Sequence, residues 1–582
     1  MALPFVYACG SALARAAVAD RPADYTVSRW LAPGLTLAAW LIALHVVGIV
    51  TGSFHIALFG ATILLALVGA LAWFRRAPSE TTSEPRALWI GAALATLAVA
   101  PLAFGWAFHD ELFFTGHMSI AATIENGAYP PRHLTFPVFE LRYHYGFDLL
   151  VAALSSILRL PTSLAIDVVT LAAWGYTFCL LWLLGERHLA PKSGWLVAVV
   201  TLFGAGIPFF SVSSGAPIVY RMLGIAAVGD RAVSPPFVSY FFQHPWTIGF
   251  PLALCALLVA LSEQAHYLRL ATLALLTLAL AISQFVLFAA LPLALIAGEI
   301  ERGLVPSAKL AAAVAVGALA ALPLGGFFAP SPEDTGAALA LRAGIVENGV
   351  LEWHIASFGA LLPLGVAGIW WTPRLRVVLG ALVLGALSIV NFVRYTHSWD
   401  IVKFAAVAQL ALSIGAAAAI ARVTTHWRAL LVAACTAAGA TFVIALALRL
   451  PGIPEAVFHR APVAVAAADA DAISDLRPRV AKGEIVYRNP SATHAYAQWG
   501  GLPQPWIDAM TARFGFSEKR IGYRLWLLQS QPADPRAWLD EGITWFVLDP
   551  SDDKLRAHAA AWKATLVGEH GDLLIYHLEP RR

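Results

Sequence analysis

The stretch "ALWIGAALATLAVAPLAFGWAFHDELFFTGHMS", residues 87–119, decides how this chain is read. Residues 87–108 form an uncharged apolar run of the length that crosses a bilayer, since a spanning helix needs about 20 such residues. The run breaks off at His109, Asp110 and Glu111, and the chain turns apolar again at Leu112. Two adjacent carboxylates therefore stand at the lip of a membrane, where an ionisable pair is costly and calls for an explanation.

Working outward, composition sets the solvent. Of 582 residues, 59% are hydrophobic and 13% charged, and the mean hydropathy is +0.70, whereas soluble domains carry roughly 25% charged residues. This reads as a polytopic α-helical membrane protein. The formal net charge of +3, with no dense basic cluster, excludes a nucleic-acid partner. Cys9, Cys179, Cys255 and Cys435 lie scattered in apolar segments without CxxC spacing, so neither a disulfide framework nor a thiolate metal site is expected.

By the length rule about thirteen segments qualify as spans. They lie near 31–52, 55–74, 87–108, 163–186, 194–212, 247–262, 267–283, 285–299, 308–328, 355–371, 376–393, 401–421 and 428–448. Residues 1–30 read as an interfacial or cytoplasmic lead, because "MALPFVYACGSALAR" lacks the basic n-region of a cleaved signal peptide. Arg29, Arg187, Lys192, Arg302, Lys309, Arg374, Arg376 and Arg428 fall in loops flush with helix ends on one side. The positive-inside rule makes that side cytoplasmic. The loops 109–162, 213–246, 329–354 and 394–400, and all that follows residue 449, are then external.

Residues 450–582 change character. "GEIVYRN" (483–489), "ITWFVLDP" (543–550) and "DLLIYHLE" (572–579) read as strands, and "DDKLRAHAAAWKATL" (552–566) as a helix. A small soluble α/β domain on the periplasmic side is expected, with the spans confined to 31–449. It holds no Gly-rich phosphate loop and no nucleophile elbow. No internal repeat of the kind that builds many transporters is visible.

The external loop 109–162 is dense in polar and aromatic groups: "HDELFFTGH", "ENGAYPPRH", "ELRYHYGFD". The bland reading is a solvated interfacial loop whose aromatics belt the headgroups. Residues 147–159 form a short apolar stripe that reads as an interfacial helix. The layout resembles the GT-C superfamily of polytopic glycosyltransferases, which take sugars from polyprenyl-phosphate carriers. Asp110 and Glu111 match the acidic pair that heads the first large external loop there. "NGAYPPRHLTFPVFELRYHYGFDLL" (126–150) looks like the loop of bacterial members, and "HSWDIVKF" (397–404) is similar to a Trp-Asp-x-x-Lys-Phe element at the outer start of a late helix. The resemblance implies a bacterial inner-membrane enzyme, a hexosyl- or pentosyltransferase, with a polyprenyl-phosphate sugar as donor and a lipid, glycan or protein as acceptor.

The chemistry of such a transfer needs a base for the acceptor hydroxyl and a cation for the departing phosphate. Asp110 is the expected base. Glu111 is open to three roles: orienting the acceptor, assisting the base, or helping to hold a divalent cation such as Mg2+ or Mn2+, which prefers oxygen ligands. Lys403 is the expected donor-phosphate ligand with Arg394 as a second cation; the competing reading pairs Lys403 with Asp400 at i, i+3 as structural glue. His144, Tyr143 and Arg142 are expected to line the same cleft, and Gln243 and His244 to reach in from "FFQHPW" (241–246), with a helix-start hydrogen bond the rival role for His244. The alternatives are a polysaccharide polymerase or ligase with a diphosphate-linked donor, which would favour several external arginines, and a transporter or flippase. Ionisable residues crowd the outer helix ends, with Asp167 the main exception, whereas transporters place them at mid-span.

Overall fold

The computed structural model describes residues 3–18, 24–74, 85–127, 129–229, 231–262, 267–330, 333, 339–341, 349–395, 399–455, 457–460, 465–508, 511 and 516–579. The side chains of Asp110 and Trp399, and residues His397 and Ser398, lie outside that description.

The chain is mostly helical. It runs through α1 (Leu3–Val18), α2 (Asp24–Thr51), α3 (Phe54–Phe74), α4 (Arg86–Gly105), α5 (His109–Leu112), α6 (His117–Glu125), α7 (Gly146–Leu158), α8 (Thr162–Leu184) and α9 (Gly194–Leu202). After α10 (Ile218–Met222) and α11 (Phe237–Tyr240) come α12 (Pro245–Ala260), α13 (Tyr267–Ser283), α14 (Phe285–Ile300), α15 (Leu304–Ala321), α16 (Val350–Phe358), α17 (Leu361–Trp370), α18 (Arg376–Phe392), α19 (Phe404–Ile420) and α20 (Thr425–Ala447).

Among the described residues seven helices are long and apolar enough to cross a membrane, or eight if the bent pair α16–α17 is one span. Every one of the thirteen expected segments contains a helix, but the count of thirteen full spans does not follow. Segment 194–212 is helical only to Leu202, because the chain then passes close to its neighbours: a Cβ on Gly206 would meet the Ala356 carbonyl oxygen at 2.0 Å. Segment 355–371 is two helices meeting at 76°. The break falls at Gly359, whose φ of +48° only glycine adopts readily. The lead is itself a helix, α1, with Ala8, Ala14 and Ala17 fully buried. The stripe 147–159 becomes α7, whose Phe147, Asp148, Leu149, Val151, Ala152 and Ala153 are all buried. It is covered by protein on faces that an interfacial helix would leave to lipid.

The C-terminal part is a three-layer α/β unit. Its sheet has the strand order Ile485–Arg488, Ile543–Leu548, Leu573–His577, Thr565–His570, the first pair parallel and the rest antiparallel. Residues of the strand Ile543–Leu548 serve two cores: Ile543, Phe546 and Leu548 pack with Trp538, Leu555 and Trp562, while Trp545 and Val547 pack with Ile473, Leu476 and Tyr496. Ala467–Leu476 and Pro490–Gln498 are α21 and α22, and Glu518–Ser530, Pro535–Leu539 and Asp553–Trp562 are α23 to α25. The edge strand Thr565–His570 was not expected. Its first two residues, Thr565 and Leu566, read as the end of the preceding helix, which instead stops where Lys563 turns left-handed.

This unit is clamped onto the loop 109–162. Phe458–Arg460 pairs antiparallel with Trp106–Phe108, directly before the acidic pair. Phe516 enters between His133, Phe136 and Phe139. The buried Arg524 guanidinium lies 4.6 Å over the Phe136 ring and donates to the Thr135 carbonyl, a cation–π contact of about 2 kcal/mol where water is excluded. Gln498 donates to the Leu112 carbonyl at 2.6 Å and Gln504 N–H to the Leu134 carbonyl at 2.9 Å.

Candidate active site at the loop face

The sequence from Phe108 builds the site. The α4 helix ends in the short strand Trp106–Phe108, and the chain then makes the single turn α5, which carries both acids. Glu111 closes this turn by accepting the Phe108 N–H at 3.0 Å. Across from it, Pro245 occupies the first turn of α12, where its missing N–H costs nothing. His244 is thereby held at the helix entrance.

Glu111 and His244 meet there. His244 Nε2 lies 2.8 Å from Glu111 Oε1, with both side chains buried. His244 Nδ1 faces the Thr170 hydroxyl on α8 at 3.4 Å, so one tautomer serves both contacts, with Nε2–H donating to the carboxylate and Nδ1 accepting. Phe147 stacks flat on the imidazole at 4.7 Å, which fixes the ring plane. Glu111 Oε2 makes no hydrogen bond with any described residue.

A second buried pair stands beside the first. His117, at the start of α6, places Nδ1 2.8 Å from Asp148 Oδ1 in the first turn of α7. The His117 ring meets His244 edge-on with centroids 5.5 Å apart. Asp148 is fully buried, and its Oδ2 has no hydrogen-bond partner among the described residues. Two carboxylates and two imidazoles thus form one buried cluster. Asp167, half-buried on α8, lies within electrostatic reach of Glu111.

The expected donor ligands fall into two groups. His144 stacks on Tyr143 at 4.3 Å and lies within electrostatic reach of His117, Lys403 and Asp400. Burial, helped by the Lys403 charge, lowers its pKa to about 3, so the ring is neutral, and its Nδ1 is buried without a partner among the described residues. Lys403 pairs with Asp400 at 3.0 Å and remains a fifth exposed. Gln243 is buried, and its Oε1 has no partner among the described residues. Arg142 donates to the Phe327 carbonyl at 3.4 Å and sits over that ring, which His144 also meets at 6.0 Å, whereas Arg394 is exposed on a two-stranded ribbon opposite Ala340.

Sequence reasoning missed His117 and Asp148. The available signal was a lone polar residue in each of two apolar helical segments, "GHMSIAATI" and "GFDLLVAAL", which pays for burial only if the two find each other. Among the described residues no group of three His, Cys, Asp or Glu is placed to hold a metal ion.

No protein-family model matches the chain, and no curated protein matches it in sequence. Among solved structures, it is similar to ArnT from Cupriavidus metallidurans in the apo state, with a TM-score of 0.45 and 11% identity over 84% of this chain and 98% of that one. It is also similar to the arabinofuranosyltransferase AftD from Mycobacteria, with a TM-score of 0.43 and 16% identity over 86% of this chain and 40% of that one. Both TM-scores lie under 0.5, and the functional reading rests on the residues of the site.

Proposed function

We propose that this chain is a membrane glycosyltransferase of the GT-C type, moving a sugar from a polyprenyl-phosphate donor to a lipid, glycan or protein acceptor at the loop face. The observation that carries the reading is the buried Glu111–His244 pair. It packs edge-on against His117–Asp148 and stands one residue from Asp110, under a soluble domain docked on the same loop.

In the proposed reaction the acceptor hydroxyl attacks C1 of the sugar while the C1–O bond to the lipid phosphate breaks. The hydroxyl proton passes to Asp110, the lipid phosphate leaves with the bonding electron pair, and C1 inverts. Asp110 shares its turn with Glu111, which Phe108 N–H and His244 hold in place. That arrangement supports a positioning role for Glu111. His144 and Lys403, in reach of each other, supply a neutral donor and a cation for the departing phosphate. Burial of the cluster lowers the local dielectric, which strengthens each of its contacts.

The test is incubation of the purified protein with a panel of polyprenyl-phosphate sugars, reading release of the lipid phosphate. Release with one donor class is expected, and no turnover with any of them overturns the reading in favour of transport. The side of the membrane is tested separately. A cysteine at Ser551, exposed on the soluble domain, should react with an impermeant thiol reagent from the periplasm, and labelling only after inner-membrane lysis would invert the topology.

A further inference from the structure

At the opposite end of the bundle lies a cavity of about 420 Å3, between the last turns of α12 and α14 and the first of α18. It is within the range of small-molecule sites, roughly 300–1,000 Å3. One end of α12 carries His244 and the other this cavity, so the 16-residue helix sets the two about 24 Å apart at 1.5 Å per residue.

Its walls and its rim differ in chemistry. Leu257, Leu261, Leu295 and Val378 line it with hydrocarbon, while Arg302 and Arg374 stand at the rim. Glu299, nearly buried, is already neutralised from below: Arg269 grips it with two nitrogens at 2.9 and 3.2 Å. Arg302 adds a third contact at 3.3 Å. Arg302 makes its contacts to Glu299, Ala260 and Ser262 through Nη1 alone, which leaves the Nε and Nη2 donors of a two-fifths exposed guanidinium facing outward. Arg302 and Arg374 balance Glu299 and Glu301 in the lining, and Arg269, which grips Glu299 from behind, brings the surroundings of the cavity to a surplus of one positive charge. Arg187 adds to the field, since it and Arg374 both act on His188.

The depth of the cavity is marked by aromatics. Trp370 and Trp371, just before the rim residues Pro373 and Arg374, are 68% and 48% exposed, and they hold Arg376 and Arg422 over their rings at 5.5 and 6.0 Å. Exposed tryptophans interleaved with arginines are the pattern of the headgroup level.

We propose that this cavity binds an anionic phospholipid of the leaflet opposite the candidate active site, its phosphate on Arg302 and Arg374 and its upper acyl chain among the leucines. Charge complementarity selects the anionic headgroup, and the apolar walls select a lipid over free phosphate. The site is independent of the proposed transferase reaction.

The test uses the full chain in phosphatidylcholine nanodiscs with added phosphatidylglycerol, reading bound lipid by native mass spectrometry and melting temperature in parallel. Phosphatidylglycerol should be retained and should raise the melting temperature, and Arg374→Ala should weaken retention by about fivefold, the size expected of one basic residue at an anionic surface. Because Arg302 also ties two helices, Leu261→Trp serves as a second variant that fills the cavity and keeps both arginines. It should abolish retention with the protein still folded. Equal stabilisation by inorganic phosphate or by phosphatidylcholine alone, or wild-type retention in both variants, overturns the proposal.

Discussion

Two buried carboxylates, Glu111 at the loop face and Glu299 at the opposite end, face the same desolvation problem and meet it differently. Glu299 is gripped by Arg269 and Arg302, whose guanidiniums stay charged at any physiological pH. Glu111 is held by the His244 imidazole at 2.8 Å and by the Phe108 N–H at 3.0 Å. A carboxylate locked by arginine is fixed in one state and ties helices together. One held by a histidine and a backbone N–H, beside a second histidine–carboxylate pair, stands instead in the single turn that also carries Asp110.

The largest expected effect breaks or sharpens the loop-face half of that contrast. Asp110→Asn removes proton acceptance while keeping size, so the turnover rate should fall by about 10²–10⁴ with the melting temperature nearly unchanged. A wild-type rate with both substrates saturating would move the base elsewhere, with Asp148 and Glu111 the next candidates.

Next comes the opposite end. Arg269→Ala leaves Glu299 buried with only the more exposed Arg302, and breaking a buried pair in this way costs about 3–5 kcal/mol. Chemical denaturation in detergent should register the loss. A change under about 1 kcal/mol would place Glu299 in solvent contact, with stabilities closer to those of surface pairs.

The pH response should separate the two ends further. His133 and His144, both in the loop 109–162, have pKa values lowered by burial to about 3. The Arg524 charge adds to the shift at His133 and the Lys403 charge to that at His144. Since the unfolded value is about 6.5, the unfolded chain binds more protons between pH ~6.5 and ~3, and stability drops as pH falls through that window. His133 Nδ1 accepts the Thr135 and Phe136 N–H groups at 3.2 Å. His133→Asn keeps an acceptor without the ionisation and should flatten the acid limb of the stability curve. An unaltered acid limb would assign the loss to other groups.

The smallest effect concerns Lys403. If its charge meets the donor phosphate, Lys403→Ala should raise the donor KM about tenfold, as expected for a charged hydrogen bond of ~1.5 kcal/mol, and leave the acceptor KM alone. Lower stability with an unchanged donor KM would instead make the 3.0 Å pair with Asp400 its whole role.

Much of this was legible in the sequence for a local reason. A stretch such as 87–105 is apolar along its length, so its own residues determine that it is a helix of membrane-spanning length, and the β-branched and aromatic run "ITWFVL" reads as a strand. His244 before Pro245 announced a helix entrance with a polar group at it. What the sequence could not show depends on residues far apart in the chain. Gly206 and Gly359 interrupt expected spans because the chain passes within contact of other segments there. His117 and Asp148 are 31 positions apart, and each alone is only an isolated polar residue in an apolar helix. The strand Phe458–Arg460 finds Trp106–Phe108 across some 350 residues. Hydrophobicity acts on each segment separately and is readable one window at a time, whereas a hydrogen bond between buried groups exists only once both helices have been packed, so the pairing of the candidate site was decided by the tertiary structure alone.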